Sequence, residues 1–180
     1  MCSSDLSPMW PYTGNSAAIY KCPADKASVK VGGERRPRIR SISMSQVFGW
    51  GEWLDGNGTG RSQTKWRIYD KESVIAAPAK TWVFVDEHPD SINDAAFAVQ
   101  CTGADKMSTA KVIDFPANYH NGACGFAFSD GHSEVHKWRG SLIKNARVYF
   151  GIGGTIALNV PARDSWVDVN WMADNTTVAR

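Results

Sequence analysis

The stretch YHNGACGFAFSDGHSEVHKW, residues 119–138, decides the fold. Phe126 and Phe128 alternate with small residues, which is the two-residue period of a half-buried strand. Asp130 and Gly131 tolerate the positive φ angles that a two-residue type I′ turn requires. The sequence therefore predicts a β-hairpin whose two strands meet at this turn.

A two-residue turn also fixes the predicted register of the hairpin. It places Phe126 opposite Val135 and Phe128 opposite Ser133. One face would then carry Phe126, Phe128 and Val135 and would be buried. The other face would point to solvent and carry three polar side chains: His132, Glu134 and His136. Because side chains alternate along a strand, a slip of one residue would exchange the two faces.

The same stretch resembles a known family. His120, nine intervening residues and then Asp130-Gly131 are similar to a prepilin-processing-associated C-terminal domain. That domain occurs in pseudopilin-like proteins of planctomycetes and verrucomicrobia, often described as type II secretion system protein G-like. Further blocks are similar to the family in the same order: residues 20–25, 36–41, 84–94 and 114–120. The resemblance runs from Trp10 to the C-terminus.

The resemblance implies a structural protein rather than an enzyme. Family members have an apolar N-terminal helix of roughly 20 residues, and a sheet packs on the C-terminal half of this helix. The helix anchors them at the periplasmic or extracellular face of the bacterial cell envelope and contacts other pseudopilin subunits. The sequence has no such apolar run, so we expect one sheet face to lack its cover. The resemblance does not require a cofactor and hints at calcium, which stabilises some G-type pseudopilins.

The N-terminus of the chain looks foreign to the rest. Its first six residues, MCSSDL, match the translation of a common sequencing-adapter end. We therefore expect residues 1–6 to be an assembly artefact and exclude them from the fold. Residues 7–180 are long enough to form a single globular domain around one hydrophobic core.

Composition indicates an ordinary globular protein. Hydrophobic residues make up 43% of the chain and charged residues 21%, and the formal net charge is +2. The basic run at residues 34–40 predicts a solvated strand edge rather than a nucleic-acid-binding patch. Cys22, Cys101 and Cys124 fit no zinc-binding spacing. An oxidising envelope would allow one disulfide among these three, and the sequence leaves the pair open.

Hydrophobic patterns along the chain predict an α+β fold. Its sheet would be mainly antiparallel, with short helices and long loops. Strands are predicted at residues 18–22, 38–48, 81–85, 95–101 and 111–115. Residues 49–61 predict a glycine-rich loop, residues 71–77 a short helix, residues 147–160 a mostly extended segment, and Ser165 the N-cap of a last helix.

An acidic loop, DEHPDSIND at residues 86–94, follows a predicted buried strand. Oxygen-rich loops of this kind suit calcium, whereas an imidazole suits a transition metal. The candidate ligands are Asp86, His88, Asp90 and Asp94. The alternative, which we favour, is that the aspartates cap turns by accepting hydrogen bonds from nearby backbone N–H groups.

The hairpin supplies a second group of candidates: His120, Asp130, Gly131 and His132. His132 and His136 share a strand face but lie ~13 Å apart along it, too far for one metal ion. We therefore expect turn-forming or loop-locking roles for this group. Cys124 lies near His120 in the sequence, but a small buried thiol is the commoner interpretation.

Catalytic motifs are missing from the sequence. It contains no Gly-x-Ser-x-Gly elbow, and the glycine-rich segment at residues 56–60 lacks the Lys-Ser/Thr of a phosphate-binding loop. The chain does contain eight tryptophans. Trp50 and Trp53 lie in or beside the glycine-rich loop, where they could stack on sugar rings. An extracellular carbohydrate-binding module is therefore the alternative function.

Overall fold

The computed structural model describes residues 10–58, 64–149 and 156–180. The predicted α+β fold is confirmed: a mostly antiparallel five-stranded sheet is accompanied by two small two-stranded sheets and short helices. The hypothesis about residues 1–6 lies outside the described residues, as do parts of the predicted glycine-rich loop and of the segment 147–160. Within the described ranges, every helix is too short or too polar to cross a membrane.

The main sheet has the strand order β5-β3-β4-β7-β8. Its strands are β3 (Ile42–Ser45), β4 (Trp82–Asp86), β5 (Ala96–Phe97), β7 (Ala123–Phe128) and β8 (Ser133–Lys137). The small sheets pair β1 (Ser28–Val31) with β2 (Glu34–Pro37), and β6 (Lys111–Val112) with β9 (Val160–Pro161). The α-helices are α1 (Ser141–Lys144) and α2 (Trp166–Asp174). Short 3₁₀ turns cover Trp10–Thr13, Ala17–Tyr20, Glu72–Val74, Pro78–Lys80 and Arg163–Ser165.

Several predicted elements were too long or of the wrong type. Residues 18–22 overlap a 3₁₀ turn instead of forming a strand, and the helix predicted at residues 71–77 is reduced to Glu72–Val74. The strand predicted at residues 38–48 is reduced to Ile42–Ser45. The strands predicted at residues 95–101 and 111–115 are shorter because side chains take over backbone hydrogen bonding. Asp114 accepts from the Ala98 N–H, and Gln100 accepts from the Lys111 N–H. Such local bonds compete with strand pairing.

The central hairpin is confirmed, but its predicted register is wrong by one residue. Phe126 lies opposite Glu134, and Gly125 lies opposite Val135. The cause is a three-residue loop in which Gly131 has a φ of +93° while Asp130 does not adopt positive φ. This arrangement fits a turn followed by a glycine bulge rather than a type I′ turn.

The change of register also corrects the predicted faces. Val135 is 69% exposed instead of buried. Phe128 and His132 now share a face, and their rings stack with centroids 4.3 Å apart. His136 is half-buried rather than solvent-facing and stacks on Trp171 of α2 at 3.7 Å.

The inner face of the main sheet builds the core by packing aromatic residues under α2. Phe126 makes edge-to-face contacts with Trp82 and Trp138, and its ring centroid lies 5.0 Å from that of Trp171. The indole N–H of Trp82 donates to the Met172 carbonyl and the Thr176 hydroxyl. Each edge-to-face aromatic contact of Phe126 stabilises the core by ~1 kcal/mol beyond the burial of apolar area.

The outer face of the same sheet carries exposed apolar side chains. Met44 pairs with Phe84, and Phe84 pairs with Ala127, so these three share the outer face. Val135 lies on that face too, because it is two residues beyond Ser133, the partner of Ala127. Met44 is 39% exposed and Phe84 46% exposed. We call these four residues the open face.

Candidate metal centre

A cysteine, an aspartate and a histidine meet at one end of β4. Sγ of Cys22 lies 3.2 Å from Nε2 of His120, and the same nitrogen lies 3.5 Å from Oδ2 of Asp86. All three ligand atoms lie within 4.8 Å of one another. Thiolate, imidazole and carboxylate are the ligands that zinc prefers, so this cluster could hold a metal ion.

Each member comes from a different part of the chain. Cys22 follows the 3₁₀ turn Ala17–Tyr20, Asp86 is the last residue of β4, and His120 ends the loop that leads into β7. Ser41 ties two of them together, because its hydroxyl donates to Oδ1 of Asp86 over 2.7 Å and accepts from the Cys22 N–H over 2.8 Å. The Asp86 carboxylate is buried, whereas the His120 side chain is 36% exposed.

The cysteines differ in their surroundings. Burial raises the pKa of the Cys22 thiol above its ordinary value, and the adjacent Asp86 carboxylate raises it further. Cys101 and Cys124 are buried, and burial raises the pKa values of both thiols. All three are free thiols, so the disulfide considered from the sequence is not formed among the described residues. The Cys124 thiol donates to the Asp86 carbonyl instead of pairing with His120.

The structure does not gather the four candidates of the acidic loop into one ligand group. Asp86, His88 and Asp90 are buried, whereas Asp94 is exposed. Asp94 accepts from the Ala96 N–H two residues further on, as the turn-capping alternative expects. Asp90 instead accepts from the N–H of Tyr149, which is distant in the sequence. Nδ1 of His88 accepts from the Asp90 N–H, and burial lowers the His88 pKa.

Glu87 is a buried acid that the sequence interpretation did not single out. Its carboxyl group contacts the hydroxyls of Ser43 and Ser91. Burial raises its pKa to about 8 despite these hydrogen bonds. The Glu87 side chain is thus enclosed in the interior, and both of its oxygens accept from serine hydroxyls.

The other hairpin candidates lie at its tip, away from the cluster. Oδ1 of Asp130 accepts from the His132 N–H and lies 2.6 Å from Nδ1 of His132. These contacts hold the three-residue loop that ends at Gly131. Asp130, Gly131 and His132 thus lie together at the hairpin turn, whereas His120 lies beside Cys22 and Asp86.

Both tryptophans of the sugar-binding alternative line one surface cleft. Trp50 is 64% exposed, and Trp53 is half-buried. Glu52 and Asp94 also line this cleft. The Trp50 indole N–H donates to Glu52 over 2.6 Å. The cleft thus combines an aromatic surface with hydrogen-bonding groups.

Sequence reasoning missed Cys22 as a candidate ligand. Its partner His120 is 98 residues away, whereas metal motifs are recognised by short spacings. The only available signal was that Cys22, Asp86 and His120 each fall in a block that resembles the pseudopilin-like family.

No family model, curated protein or solved structure matches this chain.

Proposed function

We propose that this chain is the globular head of a pseudopilin-like subunit with a structural role in a type II secretion or type IV pilus-like assembly. The observation that carries the proposal is the open face. A central sheet that buries one face under α2 and exposes Met44, Phe84 and Val135 on the other suits a helix packed across it.

The occupant we propose for the open face is the apolar N-terminal helix of the same subunit. The chain joins the sheet at one end of β3, where the Ser41 N–H donates to the Tyr20 carbonyl over 2.9 Å. A helix that precedes this point would approach the sheet from the same end. In the assembly it would also contact the membrane and neighbouring subunits, at the outer side of the cell envelope.

The natural gene upstream of Ser7 tests this proposal directly. We expect it to encode a short basic leader, a Gly-Phe-type processing site with a glutamate shortly after it, and a continuous apolar helix. An ordinary secretory signal, or another folded domain joined at this point, would overturn the proposal.

Carbohydrate binding is the second candidate function, and the shared cleft of Trp50 and Trp53 favours it. Under this alternative the chain is retained on an insoluble polysaccharide, and Trp50→Ala or Trp53→Ala abolishes retention because stacking is lost. Tyr12→Ala is the matched control, since Tyr12 is 82% exposed and does not line the cleft. Equal retention of all variants, or none by the unaltered chain, would count against a sugar-binding site there.

A further inference from the structure

We propose that Cys22, Asp86 and His120 bind a divalent transition-metal ion of the zinc class. In the part of the chain that the structure describes, these three side chains place one ligand atom each within 4.8 Å of one another. The site is independent of the open face and of the assembly role proposed above.

The separations between ligand atoms fit a tetrahedral ion. Ligands bound at ~2.0–2.3 Å from zinc with tetrahedral angles lie ~3.3–3.7 Å from one another. The observed separations are 3.2 Å between Cys22 Sγ and His120 Nε2, and 3.5 Å between that nitrogen and Asp86 Oδ2. Cys22 Sγ and the Asp86 carboxylate form the third pair and lie within 4.8 Å of each other.

The way the three groups meet favours a metal ion over a nucleophile relay. In a Cys-His-Asp relay, the imidazole uses one nitrogen for the nucleophile and the other for the orienting carboxylate. Here Cys22 and Asp86 both approach Nε2 of His120. This convergence on one nitrogen suits a cation bound by all three groups better than a proton passed from cysteine to histidine.

Neighbouring groups orient the side chains of the cluster. Ser41 hydrogen-bonds both the Asp86 carboxylate and the backbone of Cys22, which is the kind of outer contact that orients metal ligands. The partly exposed His120 leaves an access route and room for a water molecule as the fourth ligand. A bound ion would join the segment around Cys22 to the end of β4.

Cobalt substitution tests the site on the folded chain. We expect one Co²⁺ per chain, strong visible bands of tetrahedral Co²⁺, and a near-ultraviolet thiolate-to-cobalt band. Zn²⁺ should displace the cobalt and raise the melting temperature by several degrees, because an ion that binds only the native state stabilises it. Ser41→Ala should weaken binding roughly 10- to 100-fold.

Matched variants separate this site from adventitious binding. Cys22→Ser should abolish the thiolate band, and His120→Gln should abolish the tetrahedral spectrum and the zinc-dependent stabilisation. His132→Gln should change neither, because His132 lies at the hairpin tip. Circular dichroism confirms that each variant is folded. In the unaltered chain, Zn²⁺ should also protect Cys22 from alkylation, which peptide mass mapping measures. This test remains valid even if a variant fails to fold.

Two results would overturn the proposal. One is the lack of a tetrahedral spectrum at excess Co²⁺ together with equal alkylation of Cys22 with and without Zn²⁺. The other is a thiolate band that persists in folded Cys22→Ser, which would assign the binding to another cysteine.

Discussion

At the scale of single residues, we expect Asp114 to make the free energy of unfolding depend on pH. Its carboxylate accepts from the Ala98 N–H over 2.6 Å, yet burial raises its pKa to about 7. The unfolded chain releases this proton near pH ~3.9. The native state therefore holds the proton more tightly than the unfolded chain does. The contribution of Asp114 to the free energy of unfolding is fully present below pH ~4 and is lost as pH rises through about 7.

Asp114→Asn should flatten this part of the pH profile. The amide keeps a hydrogen-bond acceptor for Ala98 and carries no charge to bury. Between pH 5 and pH 8 we expect the unaltered chain to lose about 2–3 kcal/mol more unfolding free energy than the variant. Urea unfolding at both pH values measures the difference. Glu87 also titrates in both proteins, and its decrease extends up to about pH 8. The Asp114 charge raises the Glu87 pKa, so Asp114→Asn should reduce the Glu87 decrease as well.

Asp105→Asn is the control for this experiment, because it removes the same charge at an exposed position. Parallel pH profiles for Asp114→Asn and the unaltered chain would show that Asp114 titrates as it does in the unfolded state.

At the scale of elements, local sequence patterns predicted the strands and turns that depend on residues close together in the sequence. A short apolar run predicted β4, alternation predicted the first strand of the hairpin, and the turn at Asp130-Gly131 predicted its return strand. The register was missed because it depends on how many residues the loop uses, which the Asp130 side chain sets through its bond to the His132 N–H. The site was missed for a stronger reason, since Cys22 and His120 meet only through the complete fold.

The approach of α1 to the segment before α2 depends on Gly140. Its N–H donates to Asp168 of α2 over 2.8 Å, and the Arg139 N–H donates to the same carboxylate. A Cβ on Gly140 would lie 2.2 Å from the Cα of Ser165. The φ of Gly140 is an ordinary −77°, so space rather than backbone freedom requires glycine there.

Gly140→Ala should therefore destabilise the fold by about 2–3 kcal/mol, because backbone rather than a flexible side chain must move. Gly125→Ala is the matched control, since a Cβ there has no neighbouring atom within 4 Å. We expect it to change stability by less than about 0.5 kcal/mol. Urea unfolding compares the two, and equal effects would mean that α1 and Ser165 can separate at little cost.

At the scale of the whole molecule, the two sheet faces have opposite roles. The inner face is closed by aromatic contacts between Phe126 and Trp171 of α2. The outer face leaves Phe84 and Val135 exposed. The cluster of Cys22, Asp86 and His120 lies at the end of the sheet where β3 begins and β4 ends. A chain without a covering helix should therefore bury its open face against another copy.

Self-association through the open face is the consequence. The weight-average mass in sedimentation experiments should rise with concentration for the unaltered chain, because contact removes Phe84 and Val135 from water. The double variant Phe84→Lys with Val135→Lys should stay monomeric over the same range.

Met107→Lys is the control, since Met107 is 58% exposed but lies outside the main sheet. If Met107→Lys suppressed association as strongly, added positive charge would be the cause. An unaltered chain that stayed monomeric throughout would show that the open face is too small or too polar at its rim to drive docking, which would also weaken the case for a covering helix.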